Sequence, residues 1–228
     1  TYPPALRNVP FAPPVLFYKG NVDLLPKPCI AIVGARKCTQ SGQQIARTMA
    51  AKLADSGLVV TSGMAYGIDT AAHQAARGHT IAVLGQGIHQ CQRSSQSKTM
   101  SMLLQDGGLV ISEFPPFTPA RRHTFPQRNR VIAGMSIGTI IVEASLRSGS
   151  RITARNALEY GREVMAVPGH PFSSASKGTN ELIRQGALLV RDADDVLQEL
   201  GFERTDSPSN IPESNIAKVI LAAAENGL

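Results

Sequence analysis

The chain has 228 residues, 43% hydrophobic and 18% charged, which is enough for one sizeable core and excludes a disordered or fibrous class. No run of about 18 apolar residues occurs, which excludes a spanning helix, and the first residues lack the charged-then-apolar pattern of an export signal, so a cytoplasmic location is expected. The three cysteines, Cys29, Cys38 and Cys91, have no metal-type spacing and read as reduced thiols, so no metal or cofactor is expected.

Residues 1–28 are proline-rich with little periodicity and read as a lead-in lying extended against the domain. The absence of an initiator Met suggests a piece of a longer chain. Ile30–Val33 is the first strand, and Ser41 is placed to cap a helix whose apolar residues Ile45, Met49 and Leu53 recur every four positions. Gly57 stops that helix. The next strand, Leu58–Thr61, runs through SGMAYG into a helix over about Asp69–Arg77. Thr80–Leu84 is a third strand, followed by a polar stretch and a helix over Lys98–Gln105. Leu109–Ser112 is a fourth strand, and a proline-rich loop leads to a helix over Gln127–Met135. Thr139–Glu143, a helix over Ile152–Tyr160, Glu163–Val167, a helix over Glu181–Gln185 and an apolar run at Ala187–Val190 complete the series.

Strand, glycine loop, helix, repeated in this way, is the sequence form of right-handed βαβ units around a mainly parallel sheet. The strands are apolar throughout, as expected when helices cover both faces. An α/β domain over residues 29–200 is therefore expected, with its site at the carboxyl ends of the strands. Residues 201–213 read as a linker, and 214–228 as the start of a further helical unit.

The excess charge is concentrated. From Phe114 to Leu158 there are seven arginines, no lysine and one acid, Glu143, a net of +6; the remainder holds 16 basic and 16 acidic residues. A concentrated, arginine-only excess points to an anionic partner, because guanidinium grips phosphate oxygens with two prongs. Glu143, alone among these arginines, is expected to pair with one of them.

Several chemistries are missing from the pattern. Gly-Lys never occurs, so there is no standard P-loop, and GQGIHQ has Gln90 where a dinucleotide fingerprint needs Gly or Ala. Gly134-Met-Ser136-Ile-Gly138 matches a nucleophile elbow, but a helix precedes it and a strand follows, the reverse of the working order. The histidines form no acid–base pair along the chain.

Four loops at strand ends combine small residues, which admit backbone N–H groups close to an anion, with Arg or hydroxyl neighbours. They are Gly34-Ala-Arg36-Lys37; Ser62-Gly63 through Gly67 to Asp69; Phe125 through Arg128-Asn129-Arg130; and Arg147-Ser148-Gly149-Ser150. Arg128 and Arg130, two apart, cannot share one helical face, so one is free to grip phosphate while the other packs internally. Asn129 is placed to hold a neighbouring loop or to meet a base. Asp69 reads as a first-turn helix acid. With no Trp and 5% aromatics, stacking candidates reduce to Tyr66, Phe125 and Phe172, and binding is expected to be mainly to phosphate.

In order along the chain, IAIVGARKCTQSG, SGMAYGIDTAAH, HTIAVLGQG, GGLVISEFPP, FPQRNRVIAG, IIVEASLRSGSRITARNALEYGREVMAVPG and GTNELIRQGA closely resemble the successive motifs of the DprA/Smf family of DNA-processing proteins. The resemblance runs from about residue 2 to 196. It implies an extended Rossmann-like three-layer fold that binds single-stranded DNA, forms a homodimer, and loads the RecA recombinase onto incoming strands during natural transformation and recombination, without catalysis of its own. It places the basic pocket on Arg36, the Ser62-Gly63 loop, Arg121, Arg122, Arg128, Arg130 and the Arg147–Ser150 loop. The family often carries a winged-helix-like domain at the C-terminus, which residues 214–228 could begin. One departure stands out: GQGIHQCQRSSQSKTM lacks the Asp and Tyr-Pro pair usual after the third strand. Two other readings share these loops: a small-nucleotide sensor, and a nucleoside-monophosphate hydrolase of the lysine-decarboxylase-like group, whose P-G-G-x-G-T motif is missing around Glu143.

Overall fold

The computed structural model describes residues 2–202, which form one eight-stranded sheet covered by helices on both faces. The order is β1 (Phe17–Gly20), β5 (Leu109–Ser112), β4 (Thr80–Leu84), β3 (Val59–Ser62), β2 (Cys29–Val33), β6 (Gly138–Ile141), β7 (Glu163–Ala166) and β8 (Leu188–Leu189). The pairings from β5 to β8 are parallel; β1 alone runs antiparallel, with Phe17 opposite Ser112 and Gly20 opposite Leu109. The expected Rossmann-like three-layer architecture with a mainly parallel sheet is what the chain adopts.

Alternate side chains of each strand supply opposite cores, as the period of two requires. Ile30 and Ile32 of β2 join a cluster with Met49 and Leu53 of α2 (Gln40–Asp55), Ala71 and Ala72 of α3 (Ile68–Ala75), and Val196 of α9 (Ala193–Glu199). Cys29, Ala31 and Val33 join the other face, with Val131 and Ile132 of α6 (Thr124–Met135) and Ala154 of α7 (Ser150–Glu159). A smaller cluster packs Met100 and Leu103 of α5 (Ser97–Gln105) under β4 and β5. Strand order reverses at β2: β3, β4 and β5 lie on one side, and β6, β7 and β8 on the other. Such a switch point opens a crevice beyond the strands' carboxyl ends.

Several local readings change. The lead-in is not simply extended: Pro4–Arg7 is a short helix, α1, and Phe17–Gly20 adds an edge strand to the sheet, so the folded unit begins well before residue 29. Thr39, not Ser41, caps α2, its hydroxyl accepting from the Gly42 amide at 2.9 Å. The polar stretch after β4 holds a short helix, α4 (Ile88–Gln92). The helix before β8 is longer than expected, α8 running Lys177–Arg184. Ser136 is fully buried at the end of α6 and donates to the Ile132 carbonyl, a helix-to-strand turn and no nucleophile elbow. The linker expected at 201–213 and the further unit at 214–228 fall, beyond Phe202, outside the described residues.

Candidate functional site

At the carboxyl ends of β2, β3, β4 and β6 the loops enclose a groove with two lobes. The first, about 200 Å³, is lined by Gly34, Arg36, Asn129 and the Ser148–Ser150 turn. The second, about 170 Å³, is lined by Tyr66, Gly85, Gln86, Ser95 and Gln96. Arg36, Ala65, Phe125 and Arg128 line both, so the lobes adjoin along a shared wall. The exposed Arg36 guanidinium lies 5.3 Å from the Phe125 ring centroid, a cation–π arrangement that marks the junction.

The floor is an internal polar network. Ser62 is fully buried and donates to the Ile32 carbonyl at 2.6 Å. Asp69, in the first turn of α3, accepts from the amides of Gly63 and Ala65. Arg128 is 5% exposed; its Nη1 donates to the carbonyls of Gly63 and Val83, and its Nε to Asn129 Oδ1 at 3.2 Å. Asn129 Nδ2 reaches the Gly149 carbonyl at 3.3 Å, so the residue holds a neighbouring loop. Burial pushes the Arg128 guanidinium down to about 10, with Asp69 opposing that shift and Arg36 adding to it; it stays charged at neutral pH. Burial pushes the Asp69 carboxyl up, opposed by Arg128 and by the backbone amides. A Cβ on Gly63 would stand 2.5 Å from Arg128 Nη2, which is why a glycine sits there. Gly67, at φ 81°, stacks against the Ala35 and Arg36 carbonyls and ties the second loop to the first.

The sequence-derived candidates therefore separate. Gly34, Arg36, Asn129, Ser148, Gly149 and Ser150 line the groove, and Lys37 is exposed beside Arg36. Arg128 forms its floor, while Ser62, Gly63 and Gly67 shape the loop from beneath or behind. Arg130 does not join them: it bonds Glu113 and the Phe11 carbonyl, with its side chain 19% exposed. Arg121 and Arg122 are exposed on the proline-rich loop near the end of β4. Arg147 faces a neighbouring hollow of about 770 Å³ between α7, α8 and β7, which shares Ser148, Gly149 and Ile152 with the first lobe. The expectation that Glu143 pairs with an arginine is corrected. Its carboxylate accepts from the Thr39 amide at 2.9 Å and the Thr39 hydroxyl at 2.5 Å, at the start of α2. Part of the charge excess is thus spent internally, on Glu113 for Arg130 and Glu159 for Arg155. Gln86 and Gln96 were missed, because isolated glutamines in a polar stretch carry no signal. Gln96 donates to the Met64 carbonyl at 2.5 Å and closes the second lobe.

A family model described as DNA recombination-mediator protein A matches residues 1–201. The chain belongs to the DprA/Smf family. Protein Smf of Escherichia coli is 42% identical over 215 residues, 92% of this chain and 58% of that protein. DNA processing protein DprA of Streptococcus pneumoniae is 43% identical over 204 residues, 88% of this chain and 72% of that one. The chain thus spans little more than half of the E. coli relative's length. The S. pneumoniae DprA crystal structure superposes with a TM-score of 0.80 at 42% identity, over 89% of this chain and 71% of that one. A Helicobacter pylori DprA structure, described for its single-stranded DNA binding mode, superposes with a TM-score of 0.81 at 30% identity, over 88% and 93%. A molybdenum cofactor binding protein of Rippkaea orientalis, 15% identical with a TM-score of 0.54, shares the fold alone. Among the described residues no helix is long and apolar enough to cross a membrane.

Proposed function

We propose that this DprA/Smf-family chain binds single-stranded DNA along the two-lobed groove and, as a homodimer in the cytoplasm, presents the strand to a RecA-type recombinase, with no chemical step of its own. One observation carries the DNA reading. The two adjoining lobes span the ends of four strands, and an exposed arginine set against an aromatic ring stands in the wall they share. Arg36 and the Ser148–Ser150 turn offer donors to phosphate in one lobe, and Tyr66 and Phe125 offer ring faces to bases beside it. A flexible single strand can follow such a track and turn its bases towards the rings, whereas a duplex keeps its base faces stacked inside. The H. pylori relative's binding of single-stranded DNA and the family's description as a recombination mediator support the same reading.

The test is a titration of oligonucleotide length and salt, run beside a duplex of the same sequence and a check for strand degradation. Single strands should bind well above duplex, with affinity falling steeply as salt rises and the strand recovered intact. Equal affinity for duplex defeats the proposal. Release of a base from a nucleoside monophosphate, lost in Glu143→Gln, would establish the hydrolase reading in its place.

A further inference from the structure

Phe117 is 65% exposed on the proline-rich loop between β5 and α6, and none of the groove's lobes includes it. Its ring meets the exposed His89 ring of α4 edge-on, with centroids 4.8 Å apart and planes at 70°. The loop that carries it is braced. The Gly87 amide donates to the Thr118 carbonyl at 2.9 Å, the Gln90 amide to the Pro116 carbonyl at 3.1 Å, and the Thr118 amide to the Pro115 carbonyl at 2.9 Å. Where the loop enters α6, the Thr124 hydroxyl bonds the Gly85 carbonyl, and Gly85 lines the second lobe. The His89–Phe117 pair therefore stands at the same end of β4 where the groove finishes.

The surroundings are positive. Arg121 and Arg122 follow Phe117 on the loop and are exposed, and Arg93, at the end of α4, is exposed too; none has an ion pair among the described residues. The chain has no acidic residue between Asp69 and Asp106, so α4 and the stretch around it carry no counter-charge of their own. The one acid between Asp106 and Phe117, Glu113, is held by Arg130. A large apolar ring is costly to leave in water, and with 65% of its surface still exposed beside His89 the Phe117 ring keeps area for offset stacking.

We propose that Phe117, steadied by His89, is a stacking step for a further nucleobase, extending the single-stranded DNA track beyond the strand-end groove onto the Arg121–Arg122 loop. This rests on the DNA-binding reading above. Because the ring is outside the groove, a strand of about four nucleotides is held without it, and one of about sixteen reaches it.

The chain has no tryptophan, so Phe117→Trp supplies a single indole that can be excited selectively over the four tyrosines. We expect its emission to be quenched by the longer oligonucleotide and not by the shorter one, with the quenching reversed by salt. Phe117→Ala should weaken binding of the longer strand about fivefold or more, with the salt slope and the short-strand affinity unchanged. Wild-type binding of single strands together with an unmoved tryptophan signal, and equal affinities in Phe117→Ala, overturns this inference and leaves the groove reading intact. Failure of the wild type to bind single strands at any length defeats both.

Discussion

Asp69 and Arg128 grip the same residue from opposite ends: Asp69 Oδ2 accepts from the Gly63 amide at 3.2 Å, and Arg128 Nη1 donates to the Gly63 carbonyl at 2.7 Å. A buried acid and a buried base thus fix the two peptide groups flanking Gly63, which shape the loop after β3. This makes Arg128 a strut under the groove, whereas the exposed Arg36 is available to solution.

The two arginines should respond differently to removal. Arg128→Ala strands a buried carboxylate and two carbonyls, a loss on the order of 3–5 kcal/mol, and should lower the melting temperature by roughly 10 °C. Arg36→Ala should leave melting nearly unchanged and reduce the salt slope of single-strand binding by about one unit, because one phosphate then goes without its guanidinium. Thermal unfolding and salt titration of both variants check this; wild-type melting in Arg128→Ala would remove the strut.

Arg130 is occupied by Glu113 and the Phe11 carbonyl. Arg130→Ala should therefore leave the salt slope of DNA binding as it is. Stability should fall by about 1–3 kcal/mol, since Glu113 loses its charged partner at a mostly buried site. A slope reduced by a full unit in binding isotherms would put Arg130 back on the DNA.

His73 should make stability depend on pH. The Thr80 hydroxyl donates to the Val60 carbonyl at 2.7 Å, so Nδ1 of His73 donates to Thr80 at 2.6 Å, and the buried Nε2 has no partner. Burial, with Arg128 adding to it, drives this imidazole down to about 3 from an ordinary 6.5. Between those values the unfolded chain binds the proton and the native one does not, so this contribution is complete above pH 6.5 and is lost as pH falls towards 3. Urea unfolding between pH 7.5 and 5 should show that decline, and His73→Leu should flatten it. Parallel slopes in both proteins would rule His73 out as the source.

Glu143 joins β6 to the start of α2 through Thr39. Glu143→Gln should cost about 1–2 kcal/mol, and in a double-mutant cycle with Thr39→Ala the effects should couple rather than add. Binding of single strands should persist. Simple additivity in chemical denaturation would show that the Glu143–Thr39 bonds contribute little.

Gly67→Ala places a Cβ against the Ala35 and Arg36 carbonyls at a positive φ. It should lower stability by more than about 1 kcal/mol and displace the Arg36 loop, so that binding weakens as well. Unaltered melting and affinity would mean that the two loops are not tied.

The central strands and their helices were legible because a parallel sheet covered on both faces needs wholly apolar strands, and because glycines such as Gly57 close the helices. β1 was not, since most of its residues are exposed at the sheet edge and leave no apolar period. The motifs also fixed which loops gather at the strand ends and to which family the chain belongs. What only tertiary structure decided is the direction of each guanidinium. Arg128 meets a carbonyl 65 residues earlier and Arg130 a carboxylate 17 residues earlier. A count of charges along the chain registers neither bond. Whether a cation faces solvent or closes a buried bond is set by neighbours brought close through folding, and local sequence does not contain them.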